Sequence, residues 1–225
     1  MRILIFGPNG SGKGTQSAFL VKHYQLAHVE SGGIFRQNIK GGTPLGKEAL
    51  KYINDGKLVP DDITIPMVLD RLAEQDCAAG FILDGFPRTS AQAQALVDGL
   101  DQADTQLDAV IVIDVARATA RARLLGRRTC PNGHPNNLAI DKIAPKASGD
   151  GHVCWSCGAE TTVRKDDVDE EAIDTRLDIY FSETAAAIET VKTWAAGKPS
   201  VKVMTVDGEG EIGAIRDTIL AGIQA

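Results

Sequence analysis

The stretch MRILIFGPNGSGKGTQ, residues 1–16, decides the fold. Arg2 to Phe6 is a short apolar run, the signature of a strand buried on both faces. Gly7, Gly10, Gly12 and Gly14 then space a tight loop around Lys13. From residue 13 to 24 the pattern turns helical. Strand, glycine loop and helix in that order build an anion cradle. Backbone N–H groups turn inward, the helix N-terminus adds its positive dipole end, and the lysine reaches the β- and γ-phosphates. A glycine-rich surface turn that merely holds a lysine lacks this context. Gly10, Ser11, Gly12, Lys13, Gly14 and Thr15 are therefore candidate triphosphate ligands.

Further along the chain the same alternation continues. RILIF (2–6), AHVES (27–31), GFILDG (80–85), DAVIVIDV (108–115) and SVKVMTVDG (200–208) read as buried strands. Helical periodicity covers roughly 13–24, 61–75, 90–99, 116–125, 168–195 and 210–223. Apolar strands separated by helices predict a doubly wound α/β core on a five-stranded parallel sheet, joined by right-handed crossovers. Two segments interrupt the pattern. Residues 31–60 are turn-rich with helical stretches between, and 127–165 form a long polar insertion.

Composition bounds the function. The chain has 225 residues, 43% of them hydrophobic, with 24 Lys and Arg against 30 Asp and Glu. A net charge of −6 argues against broad nucleic-acid or anionic-membrane binding. No apolar run reaches the roughly 18 residues of a membrane span, and the N-terminal apolar run ends at the glycine loop without a cleavage site. A cytoplasmic protein is expected.

A phosphate loop alone leaves ATPases, GTPases, transporters and kinases open. ILDGFPR (82–88) narrows the field. Asp84 ends a buried strand, where a carboxylate can hold Mg²⁺ through water, although a strand-end turn former beside Gly85 is the bland alternative. Arg88 follows at the sheet edge where α/β proteins place ligands.

Taken together, GPNGSGKGTQ, DGFPRTSAQ, GKLVPD and GRR resemble the adenylate kinases, nucleoside monophosphate kinases of P-loop type that interconvert ATP plus AMP with two ADP. The resemblance runs from residue 1 to beyond 208. It implies a core of residues 1–30, 61–126 and 166–225, an AMP-binding arm at 31–60 and a lid at 127–165, with hinges near Gly126 and Lys165. It further implies that Ser31, Arg36, Gly85 and Arg88 meet AMP, that the backbone around Lys57 and Val59 faces its adenine, and that Gln92 hydrogen-bonds the base. For ATP it implies stacking by Arg123, a phosphate contact by Arg127 and a base contact near Gly208. Arg164 and Arg176 would close on the transferring group. Family members are usually monomers, and ATP, AMP and ADP are the expected partners. Two positions depart from the pattern: Pro8-Asn9 alters the loop tip, and Gly33 stands where an aspartate is common, which removes a contact orienting the arm.

Physics agrees with that placement. Phosphoryl transfer needs in-line positioning and neutralised charge more than covalent help. Two anionic nucleotides repel, so Arg36, Arg88, Arg127, Arg164 and Arg176 with Lys13 and Mg²⁺ form the expected counter-charge. Any one arginine alone would read as a solvated surface charge.

Three of the four cysteines, Cys130, Cys154 and Cys157, fall within the insertion. In a reducing compartment such clusters are metal ligands more often than disulfides. Cys154-x-x-Cys157 has knuckle spacing, and Cys130 lies about twenty residues upstream of it. Many lids of the family carry paired CxxC knuckles; Gly133 occupies the second position of the first pair here, and the neighbouring His134 is the natural substitute. His152 is the competing imidazole. The large apolar residues between Cys130 and Cys157 are Leu138, Ile140, Ile143, Val153 and Trp155, too few for a core, so a structural staple is expected. Zinc is the default, with iron or cobalt also suited to the set.

Other residues take ordinary readings. Cys77 is a small buried hydrophobe, His23 and His28 are surface or capping groups, and the acidic run at 166–171 favours a helix start, with Asp166 and Asp167 also placed to orient lid arginines. The rivals are a kinase of another monophosphate and a nucleic-acid module built on the knuckle. The latter needs a basic, aromatic face, whereas 130–157 holds two lysines, two aspartates and one tryptophan.

Overall fold

The computed structural model describes residues 1–225, the side chain of Lys165 excepted. Five strands form the central sheet: β1 (Arg2–Phe6), β2 (Ala27–Glu30), β3 (Phe81–Asp84), β4 (Ala109–Asp114) and, last in the chain, β10 (Lys202–Asp207). All pairs are parallel, in the order β10-β4-β1-β3-β2. Side chains alternate between the two faces of this sheet. Leu4 and Phe6 of β1 join a core with Val29, Leu83, Val110 and Leu96. Ile3 and Ile5 join the opposite core with Ile82, Ile111, Ile215 and Ile219. Both faces are covered, which is why the strands read as unbroken apolar runs.

The helices are α1 (Lys13–Tyr24), α2 (Ser31–Gly41), α3 (Pro44–Ile53), α4 (Asp61–Leu72), α5 (Ser90–Gln102), α6 (Arg117–Gly126), α7 (Glu170–Ile179), α8 (Ala185–Ala196) and α9 (Ile212–Gln224). Their starts follow local chemistry. The Thr43 hydroxyl accepts from the Gly46 amide and Pro44 fills the first turn of α3. Thr89 caps α5 through the Gln92 amide, and Asp169 caps α7 through two amides with Glu170 and Glu171 in its first turn.

The five expected strands are present with slightly shorter ends. Ser31 is the one change of type, since α2 begins there directly after β2. In the arm, α2 and α3 pack over Phe35, Ala49 and Val59. A Cβ on Gly46 would lie 2.2 Å from the Asn38 carbonyl oxygen, so the two helices approach closely only because residue 46 has no side chain. The helix expected over 168–195 is interrupted by a π segment at Tyr180–Thr184. Before it, Ile173 and Leu177 pack with Leu124 of α6; after it, Ala187, Ile188 and Val191 pack with the α5 core. The wider turn re-phases one apolar stripe from one neighbour to the next.

The insertion folds into small ribbons. β5 (Arg127–Thr129) pairs with β6 (Pro135–Asn137), and β7 (Lys146–Ser148), β8 (Gly151–Val153) and β9 (Glu160–Thr161) form a second sheet. A bridge from Thr129 to Thr162 joins them. Among the described residues, no clustered core of buried apolar side chains includes any lid residue. No helix is long and apolar enough to cross a membrane. The hinge expected at Lys165 concerns a side chain outside those described.

Candidate functional site

The C-terminal ends of β1, β2, β3 and β10 open into one cleft of about 750 Å³. The loop after β1 forms its floor. Gly10 has φ +92°, and a Cβ there would lie 2.4 Å from the Ala120 carbonyl oxygen, so only glycine permits this loop against α6. Ser11 is buried, and Gly12 lies just ahead of the N-terminus of α1. Lys13 Nζ sits 3.5 Å from the Asn9 side-chain oxygen and 4.0 Å from Asp84. The unusual loop-tip residue Asn9 thus helps hold the lysine. Burial pushes the Lys13 pKa below its ordinary value, against the pull of Asp84.

Asp84 is 3% exposed. Burial works against its charge, but Lys13, His28 and Arg88 outweigh it and hold the carboxyl below the usual carboxylate range. Ser17 Oγ donates to it at 3.3 Å, and His28 Nε2 lies 3.9 Å away. His28 is exposed, as expected of a surface group, with its ring also reaching towards Asp84. A buried, ionised carboxylate beside the phosphate loop fits a water-held Mg²⁺.

The arginines converge on this cleft. Arg36, Arg88, Arg123, Arg127, Arg164 and Arg176 all line it. Arg88 Nε donates to the Gly85 carbonyl at 2.8 Å; burial lowers its pKa, opposed chiefly by Asp84. Arg127 and Arg176 share one carboxylate, that of Asp167, at 2.6 and 3.2 Å, and its side chain is wholly buried. Arg176 also donates to the Asp166 carbonyl. Asp166 pairs with Arg164 at 2.7 Å and stands 3.9 Å from Arg36 of the arm. Both acidic residues orient lid arginines, as the sequence suggested.

Elsewhere along the cleft, Arg123 donates to the Gly208 carbonyl at 2.8 Å, which fixes that guanidinium beside the last strand. Gln92 is 2% exposed. Its carbonyl accepts from the Arg88 amide at 2.8 Å and its amide donates to Asp61 at 2.6 Å, while Thr89 donates to the other Asp61 oxygen at 2.8 Å. Asp61 thereby sets which way the Gln92 amide faces. Ser31 Oγ donates to the Gly85 carbonyl at 2.7 Å, tying the arm to the end of β3. Lys57 and Val59 line the arm side of the cleft.

In the lid, Cys130, His134, Cys154 and Cys157 present ligand atoms all within 4.8 Å of one another. His152 is not among them. Cys130 Sγ lies 3.6 Å from Cys157 Sγ and 3.8 Å from His134 Nδ1. A tetrahedral site with Zn–S bonds of about 2.3 Å has sulfur–sulfur edges of about 3.8 Å, close to these two separations, so the donor set suits such an ion. The sulfurs also receive outer support. Amides of Asn132 and Ser156 donate to Cys130 and Cys154 at 3.4 Å, and the Asn136 side chain donates to Cys154 at 3.3 Å. The Asn132 side-chain amide donates to Cys157 and draws its thiol pKa down to about 7. Cys77, outside this group, is buried against Arg71.

Sequence reasoning missed Ser17, Glu30 and Asp61, and saw Asn9 only as a change at the loop tip and His28 only as a surface group. Each acts by meeting a neighbour, which only the fold reveals.

Comparison with known proteins agrees with this geometry. The family described as "Adenylate kinase" matches residues 5–196. Curated proteins of that name are similar to the chain over nearly its whole length. The one from Nitratidesulfovibrio vulgaris strain Hildenborough is 53% identical over 226 residues, covering 98% of this chain and 99% of that protein. Its counterpart in strain Miyazaki F is 53% identical, covering 98% of each. That of Desulfosudis oleivorans is 52% identical, covering 92% and 93%.

Proposed function

The chain belongs to the adenylate kinase family, and on that premise we propose that its cleft carries the γ-phosphoryl group of ATP to AMP, giving two ADP. The observation that supports it most is the convergence of Lys13 and five arginines, Arg36, Arg88, Arg127, Arg164 and Arg176, on one cleft of a protein whose net charge is −6. Two polyanionic substrates meeting end to end need such a concentration of positive charge.

The roles are those the family resemblance implies, and the placement of the residues supports them. Gly10 to Thr15 receive the ATP phosphates, Arg123 covers the ATP adenine beside Gly208, and Arg127 meets the phosphate chain. Ser31, Arg36, Gly85 and Arg88 hold the AMP phosphate, with Lys57, Val59 and Gln92 around its base. An oxygen of that phosphate attacks the γ-phosphorus in line, and the bond to the β–γ bridging oxygen breaks. Lys13, Arg88, Arg127, Arg164 and Arg176 neutralise charge on the transferring group. Asp84 is the carboxylate that would hold the Mg²⁺ arriving with ATP through water, and the ion would supply further neutralisation of phosphate charge.

Residues 31–60 would move as the AMP arm and 127–165 as the lid, about the core of 1–30, 61–126 and 166–225, excluding water from the reacting phosphate. The Cys₃His group of Cys130, His134, Cys154 and Cys157 would hold a structural Zn²⁺, or iron or cobalt. With four protein ligands it keeps no open position, so its work is to fold a lid without a core. ADP formation from MgATP with AMP, CMP, UMP or GMP tests the reading. Rapid turnover with AMP alone is expected; slow, acceptor-independent ATP hydrolysis overturns it.

A further inference from the structure

Glu30 is the last residue of β2, and its side chain does not cap the helix that follows. It turns instead across the first turn of α2 into the cleft. Glu30 Oε1 lies 2.5 Å from Arg36 Nη2, and both side chains are about a third exposed. The carboxylate lies against Gly32 and Gly33. A Cβ on Gly33 would stand 2.9 Å from Glu30 Oε2, and one on Gly32 would stand 2.9 Å from Arg36 Nη1. The pair therefore occupies the space that side chains at these two positions would fill.

This bears on the departure noted in the sequence, where Gly33 removes the acid that commonly orients the arm. Glu30 brings a carboxylate into the space beside Gly33 from the strand end. We propose that Glu30 is a positioning residue for the acceptor nucleotide. By holding one terminal nitrogen of Arg36, it aims the remaining N–H groups at the AMP phosphate, and Gly33 is the vacancy that lets it do so. This rests on the reading of the cleft as an adenylate kinase site.

The physical argument is one of ordering. A free arginine side chain loses rotamer freedom when it clamps a phosphate, and a partner that fixes it beforehand removes part of that loss. A guanidinium has five N–H donors, so one carboxylate contact leaves the others for phosphate. Asp166, on the lid side, makes the longer ion pair, 3.9 Å to the other terminal nitrogen, and leaves Glu30 as the close partner.

Three variants test this by AMP titration calorimetry and by steady-state kinetics against each nucleotide. Glu30→Ala is expected to weaken AMP binding and raise its KM about fivefold, the range open to a partly exposed ion pair, with kcat at saturation and the KM for ATP unchanged. Gly33→Ala keeps the carboxylate but displaces it, and is expected to give a similar loss. In Glu30→Ala with Gly33→Asp, an acid reaches the same space from residue 33, and AMP affinity is expected to return to within twofold of the wild type. Unchanged or tighter AMP binding in Glu30→Ala overturns the proposal. So does a loss shared equally by ATP and AMP, which marks a structural role, or a failure of the double variant to recover. If the wild type itself does not turn over AMP, the kinase reading fails first and separately.

Discussion

Asp167→Asn is the substitution from which the lid reasoning has most to lose. The Asp167 side chain is wholly buried and its two oxygens serve Arg127 at 2.6 Å and Arg176 at 3.2 Å. An asparagine keeps the shape but offers one acceptor and one donor group, so one guanidinium faces another donor and both lose their counter-charge. Removing one partner of a buried pair costs about 3–5 kcal/mol. Arg127 is 30% exposed and recovers some hydration, which brings the expected stability loss to about 2–3 kcal/mol. For a chain of this size that lowers the melting temperature by about 4–12 °C. The rate should suffer more. An arginine acting on a transferring phosphoryl group supplies about 10³–10⁵ in rate, and misdirecting one without removing it is expected to reduce kcat about 10²-fold. The assay is kcat in coupled ADP formation, measured well below the variant's melting temperature and alongside a thermal melt. A variant that loses stability yet keeps kcat within threefold of the wild type refutes the claim that Asp167 aims these arginines.

Two further outcomes follow from the same geometry. Stripping the lid metal with a chelator, or Cys154→Ser, should unfold residues 127–165 while the sheet persists, because metal binding of about 10–16 kcal/mol replaces a missing core there. Red-shifted Trp155 fluorescence and proteolysis confined to the lid are expected, and an unchanged emission and cleavage pattern contradicts the staple. Asp84 titrates below the usual range in the folded state, so its stabilisation is present above the unfolded value near 4 and is lost as pH falls through the folded value. Denaturation of Asp84→Asn should show a deficit against wild type at pH 7 that narrows below about pH 4; a deficit constant with pH contradicts it.

Much of this was legible from one dimension, for identifiable reasons. The strands read correctly because burial on both faces leaves continuous apolar runs, and the phosphate loop because its glycines and lysine have fixed spacing. The lid ligands were legible because cysteine pairs keep their knuckle spacing. His134 over His152 rested on adjacency, and the fold brings His134 into the group. What escaped was contact between segments. The π segment at Tyr180–Thr184 leaves no periodic trace, since it answers to a change of neighbour from α6 to α5. Asp61 fixes Gln92 across 31 positions, and His28 meets Asp84 across a strand pair. Gly33 was visible as a gap, but nothing in the spacing says that Glu30 fills it.

The strand order has a consequence for how the chain acquires its shape. β1 is made first and sits at the centre of the sheet, yet Ile3 finds its partners only at Ile82 on one side and Ala109 on the other. β4 in turn waits for Lys202–Asp207. Every pairing in the sheet is long-range, so loop closure must precede any reward, and such topologies fold slowly. During synthesis an apolar strand and the phosphate loop emerge without neighbours, and one edge of β4 stays open until Lys202–Asp207 has been made. The nascent chain is thus exposed to aggregation until that strand pairs, and truncation before residue 202 should yield a sticky, unfinished sheet in place of a smaller working enzyme.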